Sequence, residues 1–222
     1  GFRILPRPRQ VDSALIERFR HLPVANVSDA MSRMSGGGPR LRPLHRAGAM
    51  AGAALTVKTR PGDNLMIHKA LKIAQPGDVL GIDGGGDLTN ALMGELMLSY
   101  AIKMGVAGVV IDGSVRDFGW IRANDFPVFA AGVTHRGPYK DGPGEINVPV
   151  AIDGMVVMPG DLVIGDDDGF LSVPMDAADA VCAAATAKQQ AEARIVADTQ
   201  AGKLDAKAWV DEALRRLGCE GA

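Results

Sequence analysis

Residues 78–117 run DVLGIDGGGDLTNALMGELMLSYAIKMGVAGVVIDGSVRD, and this stretch restricts the fold more than any other. Two short apolar runs, 79–82 and 107–111, have the length and β-branched content of buried strands. Each ends in Asp-Gly, at Asp83-Gly84 and at Asp112-Gly113. Between them Leu92, Leu96, Ala101 and Met104 recur at helical spacing, which predicts a helix. Strand, glycine loop, helix, strand and glycine loop make a βαβ crossover, so both loops lie at one end of a parallel sheet. Ligands of open α/β sheets bind at that end, outside the carboxyl ends of the strands. The second loop delivers Arg116-Asp117 there, a fixed cation beside a hard-oxygen metal ligand.

The rest of the chain supplies the surroundings. Residues 1–10 hold two prolines and three arginines and read as an arm outside the core. Val11, Leu15, Phe19 and Leu22 make one helical stripe, ended by Pro23. A short helix near 27–29 ends before Gly36-Gly37-Gly38, with Ser28 or Asp29 capping it or pointing into a pocket. A strand is expected over 49–59 and a helix over 64–73, with Leu65, His68, Leu71 and Lys72 on its face. Pro-Gly-Asp occurs at 61–63, 76–78 and 159–161, where Pro then Gly fits the centre of a type II turn. Residues 118–124 suit one or two helical turns, and 126–130 a short strand that Pro127 places at an edge or a strand start. Residues 134–147, THRGPYKDGPGEIN, form a long loop of the kind that is often functional. Short runs at 148–152, 155–158, 162–164 and 170–173 predict a second, smaller antiparallel sheet. Residues 177–199 read as an alanine-rich helix, and 205–217 as another closed by Gly218. The small side chains of the first let another element approach closely, which points to a homo-oligomer. The expected fold is α/β: a single domain with a βαβ parallel sheet, a smaller antiparallel sheet and C-terminal helices.

Charge and motif content narrow the function. With 24 basic and 26 acidic residues and a net charge of −2, the chain offers no footprint for nucleic acid or an anionic membrane. Cys182 and Cys219 form no CxxC, which leaves out zinc and redox motifs and fits a reducing compartment. No signal peptide or apolar run of spanning length is read, so the cytoplasm is the expected location. Gly84-Gly85-Gly86 fails the dinucleotide pattern, because Thr89 stands where its last glycine belongs. What remains is a glycine turn at a helix N-terminus that suits a carboxylate or phosphate, or a turn with no ligand. Asp166-Asp167-Asp168-Gly169 resembles a metal loop, but Ile164 and Met175 stand where an EF-hand needs oxygen ligands, so a solvated turn is expected. Among His21, His45, His68 and His135 there is no HxxxH or HxH, and only His135, in the long loop, is a candidate. Arg116-Asp117 is either a surface ion pair or the core of a site. Arginine binds a carboxylate bidentately, and aspartate supplies oxygen to Mg²⁺, which keeps several waters. The pair suits a 2-oxo acid, with metal on the keto oxygen and Arg116 and helix amides on the carboxylate.

Six segments carry a resemblance. They are Gly94-Glu95-Leu96, the run from Gly108 to Arg116-Asp117, Phe126-Pro127-Val128-Phe129, Asn147-Val148-Pro149-Val150, Pro159-Gly160-Asp161 and the run from Gly165 to Gly169. Together they resemble the RraA-like family, over about Val27 to Pro174. That family includes metal-dependent 4-hydroxy-4-methyl-2-oxoglutarate aldolases, and the C-terminal helices are of the aldolase kind. The resemblance implies a three-layer sandwich with sheets packed between helices, and trimers or hexamers with sites at subunit boundaries. It implies a catalytic domain over 1–174 and a helical extension over 175–222, packed on that domain or on a neighbouring subunit. Gly94, Glu95, Leu96 and Met97 map onto substrate-binding backbone, Arg116 onto the substrate-binding arginine and Asp117 onto the metal ligand, Mg²⁺ first and Mn²⁺ second. Trp120 stands where the family motif often carries an acid. Glu192 is a candidate acid for a neighbour's site. The implied reaction is class II aldol cleavage of a small 4-hydroxy-2-oxo acid to pyruvate, with oxaloacetate decarboxylation beside it. The alternative is a non-catalytic regulator that binds an RNA-degradation enzyme.

Overall fold

The computed structural model describes residues 1–203, 207 and 209–221. Its strands, in chain order, are β1 (Phe2–Ile4), β2 (Arg42–Pro43), β3 (Met50–Thr59), β4 (Asp78–Asp83), β5 (Ala91–Met93), β6 (Gly108–Val115), β7 (Val128–Val133), β8 (Gly144–Ile146), β9 (Val150–Ile152), β10 (Met155–Val157), β11 (Leu162–Asp166) and β12 (Gly169–Val173). The α-helices are α1 (Ser13–Phe19), α2 (Val24–Ala30), α3 (Leu65–Ile73), α4 (Glu95–Lys103), α5 (Phe118–Ile121), α6 (Ala178–Gln200) and α7 (Trp209–Arg216). The expected start of the last helix at Asp205 lies outside the described residues.

The middle of the main sheet is parallel, in the order β3-β4-β6-β7. Strands covered on both faces read as continuous apolar runs, and β3, β4 and β6 are buried along almost their whole length. β3 is longer than its pairing with β4, which spans Ala53 to Lys58. Its other edge is shared: β11 covers Met50 to Ala53 and β8 covers Val57 to Thr59, both antiparallel. The expected second sheet is therefore divided. β9 and β10 make a separate two-stranded antiparallel sheet, while β11 and β12 join the main one.

Alternation along the strands sends side chains to two faces. Leu80, Ile82, Val109 and Ile111 pack with Met66, Ile67, Leu71, Met97 and Leu98 of α3 and α4. Val79 and Val110 belong to the opposite core, with Leu15 and Phe19 of α1, Val27 of α2, Ile152 of β9 and Val181 of α6. These are the three layers.

Several local expectations change. Asp112-Gly113 is no turn, because β6 continues through it to Val115. The buried Asp112 stays in the strand because Arg40 pairs with it and the Asp153 N–H donates to it at 3.2 Å. The glycine loop at 84–86 leads into β5, not into a helix. Gly85 and Gly86 have φ of +67° and +69°, which only glycine adopts without strain. Leu92, expected on one helical face with Leu96, lies in β5, and Leu96 is 81% exposed; Met97, Leu98 and Ala101 form the buried face of α4. In α3 the buried face is Met66, Ile67, Ala70 and Leu71, which turns His68 outward. Ser28 and Asp29 end α2 and do not cap it; its Val24 N–H donates instead to Asp166 Oδ2 at 2.9 Å. β7 is interior, since β2 pairs its outer edge, and Pro127 precedes it. The long loop closes with strand β8.

The N-terminal arm also does more than expected. β1 adds to β8 in parallel, and Val11 N–H donates to Gly160 O at 2.9 Å. Between them Arg7 Nη1 lies 2.8 Å from Asp78 Oδ1, with the two side chains 8% and 3% exposed. Asp78 Oδ2 accepts from Gln75 N–H at 2.8 Å. Removing one member of a buried pair leaves an uncompensated charge. Arg7→Ala is expected to cost about 3 kcal/mol, read by urea unfolding at neutral pH. A loss below about 1 kcal/mol, the range of a surface pair, would show that the arm is not anchored there.

Candidate active site

β5 and β6 run parallel and end together, which sets the site. Arg116 N–H donates to Met93 O at 3.0 Å, so Arg116 leaves the sheet beside Gly94. The next residue, Asp117, turns the chain with φ 59° and ψ 38°. Aspartate visits this left-handed region more readily than most L residues, and such conformations gather at functional sites. The turn carries the Asp117 carboxylate to the start of α4, where Glu95 N–H donates to its Oδ2 at 2.9 Å. Gly94 makes the approach feasible. Its φ of −156° suits any residue, but a Cβ there would collide with Asp117 Oδ2 and come within 2.8 Å of Arg116 Cγ.

Arg116 Nε lies 3.8 Å from Asp117 Oδ2, and the two side chains are 43% and 40% exposed. At that separation the pair stabilises the fold little. Both charges remain able to bind something else. Arg116 lines a cavity of about 210 Å³ whose walls also include Asn64, His68, Gly94, Met97 and Lys140, and Asp117 adjoins it through its hydrogen bond to Glu95. Asn64 is 2% exposed; its Nδ2 donates to Leu92 O at 2.9 Å, and its Oδ1 has no hydrogen-bond partner among the described residues. Partial burial, and then the nearby Lys140 charge, lower the His68 pKa from its ordinary value.

The expected site residues fall unevenly. Gly94, Leu96, Met97 and Arg116 stand on the cavity, and Asp117 and Glu95 adjoin it through their shared hydrogen bond. His135 is exposed and is not among the cavity walls; His68 is the histidine that lines it. Glu192 is engaged within its own chain, accepting from Asn26 Nδ2 at 2.6 Å and lying 3.0 Å from Lys188 Nζ. Trp120 packs against the core under β6. The aspartates at 166–168 form a turn, in which Asp166 accepts from Asp168 N–H and Val24 N–H. Asn64, His68 and Lys140 were not singled out as site residues from sequence. The signals for them were the Pro-Gly-Asp-Asn turn before a helix and the polar loop.

Among the described residues no three His, Cys, Asp or Glu side chains come together. The donor set nearest the cavity is the Asp117 carboxylate, whose Oδ1 makes no hydrogen bond among the described residues, with the exposed Glu95 beside it. Hard oxygens few in number fit Mg²⁺, which retains several waters, and do not fit a soft metal.

Comparison with known proteins gives the same family from sequence and from fold. The model of the RraA-like family, Aldolase/RraA, matches residues 24–171. A Halalkalibacterium halodurans protein, provisionally named a 4-hydroxy-4-methyl-2-oxoglutarate aldolase, is 38% identical over 192 residues, 85% of this chain and 91% of that one. An uncharacterized protein from Pseudomonas syringae superposes with a TM-score of 0.78 at 28% identity, covering 87% of this chain and 95% of the other. The RNA-processing inhibitor RraA from Thermus thermophilis superposes with a TM-score of 0.63 at 32% identity, over 68% of this chain and 92% of its own. A domain-wide sequence match and a shared sheet topology agree, and the chain belongs to the RraA-like family.

Proposed function

We propose that the protein is a divalent-metal-dependent aldolase. It cleaves 4-hydroxy-4-methyl-2-oxoglutarate, or a related 4-hydroxy-2-oxo acid, to pyruvate and a second oxo acid, and it decarboxylates oxaloacetate. The observation that carries this reading is the meeting of Arg116 and the start of α4 on one cavity, with the Asp117 carboxylate bonded to that helix start beside it. The name of the Halalkalibacterium relative supports it.

In aldol cleavage the 4-hydroxyl loses its proton and the C3–C4 bond breaks. The electron pair moves onto the 2-oxo group, and the resulting enolate of pyruvate takes up a proton at C3. Asp117 is the residue that would hold Mg²⁺, which when bound supplies Lewis acidity toward the 2-oxo oxygen. Arg116 offers a planar fork of donors to the adjacent carboxylate and places fixed positive charge where negative charge develops. Lys140 adds a second cation to the cavity, which suits a substrate with more than one carboxylate. Decarboxylation of oxaloacetate breaks a bond in the same position relative to the keto group and forms the same enolate.

A second reading has one observation in its favour, the likeness to the Thermus RNA-processing inhibitor. In that case Arg116 and Asp117 are idle, and the chain acts by binding an RNA-degradation enzyme. Turnover of an oxo acid decides between the two.

The aldolase reading takes the chain as a homotrimer or homohexamer. Residues 191–200 of α6 are exposed, with Ile195 at 48% and Val196 at 55%. Light scattering at micromolar concentration is expected to give three or six copies, and a monomer contradicts it.

Asp117 and Arg116 have separable roles. Asp117→Asn keeps the shape and removes the charge, so it should weaken Mg²⁺ binding, with only partial rescue of rate by excess metal. Arg116→Lys keeps a charge without the fork. It should leave metal binding nearly unchanged and lower turnover on the order of 100-fold. Calorimetry with Mg²⁺ and steady-state kinetics read the two effects. An Asp117→Asn variant that binds metal and turns over like the parent places the chemistry elsewhere.

A further inference from the structure

Asp63 has no solvent exposure, and the proposed chemistry does not use it. A buried carboxylate is costly unless charge and hydrogen bonds satisfy it. Both of its oxygens are engaged. Oδ1 accepts from Leu65 N–H at 2.9 Å, at the start of α3. Oδ2 accepts from Asp141 N–H at 2.7 Å, from Gly142 N–H at 2.9 Å and from Arg60 Nη2 at 3.1 Å. Only the first of these four bonds serves the start of α3, where Asn64 holds the N-cap position. Two of the remaining three hold one short segment of the long loop. Backbone bonds fix the segment on its other side, since Tyr139 N–H donates to Gly62 O at 2.8 Å and Asn64 N–H donates to Tyr139 O at 3.0 Å. Between the two anchors stands Lys140, on the wall of the Arg116 cavity. Asn64, on the same wall, is the residue next to Asp63 in sequence.

We propose that Asp63 is a positioning residue of this site. Its buried carboxylate clamps residues 138–142 to the start of α3 and so keeps Lys140 on the cavity. Asp63 touches no substrate. Lysine carries its charge on a long, flexible stem, so backbone held on both sides of residue 140 restricts where the ammonium can sit. The catalytic meaning of the clamp rests on the aldolase reading. Releasing it leaves Arg116 and Asp117 in place and disturbs a cation that binds the substrate's far end. The effect should appear in KM more than in kcat.

Two variants test this. Asp63→Asn is nearly isosteric but turns an NH₂ toward N–H donors. Asp63→Ser keeps a cap for Leu65 and is too short to hold Asp141 and Gly142; it stands in should Asp63→Asn not fold. Hydrogen exchange needs no substrate, and it should show faster exchange at Asp141 and Gly142 in either variant. Kinetics on 4-hydroxy-4-methyl-2-oxoglutarate should show KM raised on the order of 10-fold, with kcat changed much less. In a Lys140→Ala background the same substitution should raise KM less than about twofold, because residues that act through one another are not additive. Unchanged exchange at Asp141 and Gly142 overturns the proposal. So does a KM effect that is as large without Lys140 as with it, since Asp63 would then act through general stability. A parent chain that turns over no oxo acid overturns the aldolase reading itself and removes the catalytic role of the clamp, whatever exchange shows.

Discussion

The hydrogen bond from Glu95 N–H to Asp117 Oδ2 joins two parts of the chain that lie 22 residues apart. It links the residue that ends the β6 crossover to the first turn of α4. Three local features have to coincide for it to form. Asp117 must take a left-handed turn, Gly94 must lack a side chain, and β5 must lie parallel beside β6 so that Arg116 leaves at the level of Met93. Given these, Arg116 and the helix start come to one cavity, and the Asp117 carboxylate adjoins them. This wall of the site is a consequence of how one strand ends.

The other side of the cavity is built differently. Asn64 and Lys140 come from a turn and a loop, and they are brought together by one buried carboxylate and two backbone bonds. One wall is thus fixed by sheet geometry and the other by a clamp on a loop. Loops placed by a rigid scaffold commonly carry binding residues. The division suits a reaction in which the keto-acid end of the substrate is constant and the other end leaves as product.

Much of this was legible in the amino-acid order. The two apolar runs around the glycine loops gave the parallel pair, and the Arg116-Asp117 step after the second run marked the strand end beside which the cavity lies. The stripe of Val11, Leu15, Phe19 and Leu22 is buried as expected. What was not legible depended on partners distant in sequence. Asp112-Gly113 reads as a turn until Arg40 and Asp153 reach it. Leu96 and Leu92 have helical spacing, but Leu92 belongs to a strand and Leu96 faces out, because the close approach at Gly94 delays the helix by several residues. His135 looked like the histidine of interest, whereas the buried face of α3 turns His68 to the cavity. Glu192, an acid considered for a neighbouring site, is tied to Asn26 and Lys188 of its own chain.

The central claim is that this strand end and a divalent ion together break a carbon–carbon bond next to a 2-oxo acid. Pyruvate release from 4-hydroxy-4-methyl-2-oxoglutarate, followed with Mg²⁺ and again with a chelator, tests it most directly. The account predicts steady pyruvate release with Mg²⁺, its loss in chelator and its return when Mg²⁺ is restored. Equal rates with and without chelator would contradict it.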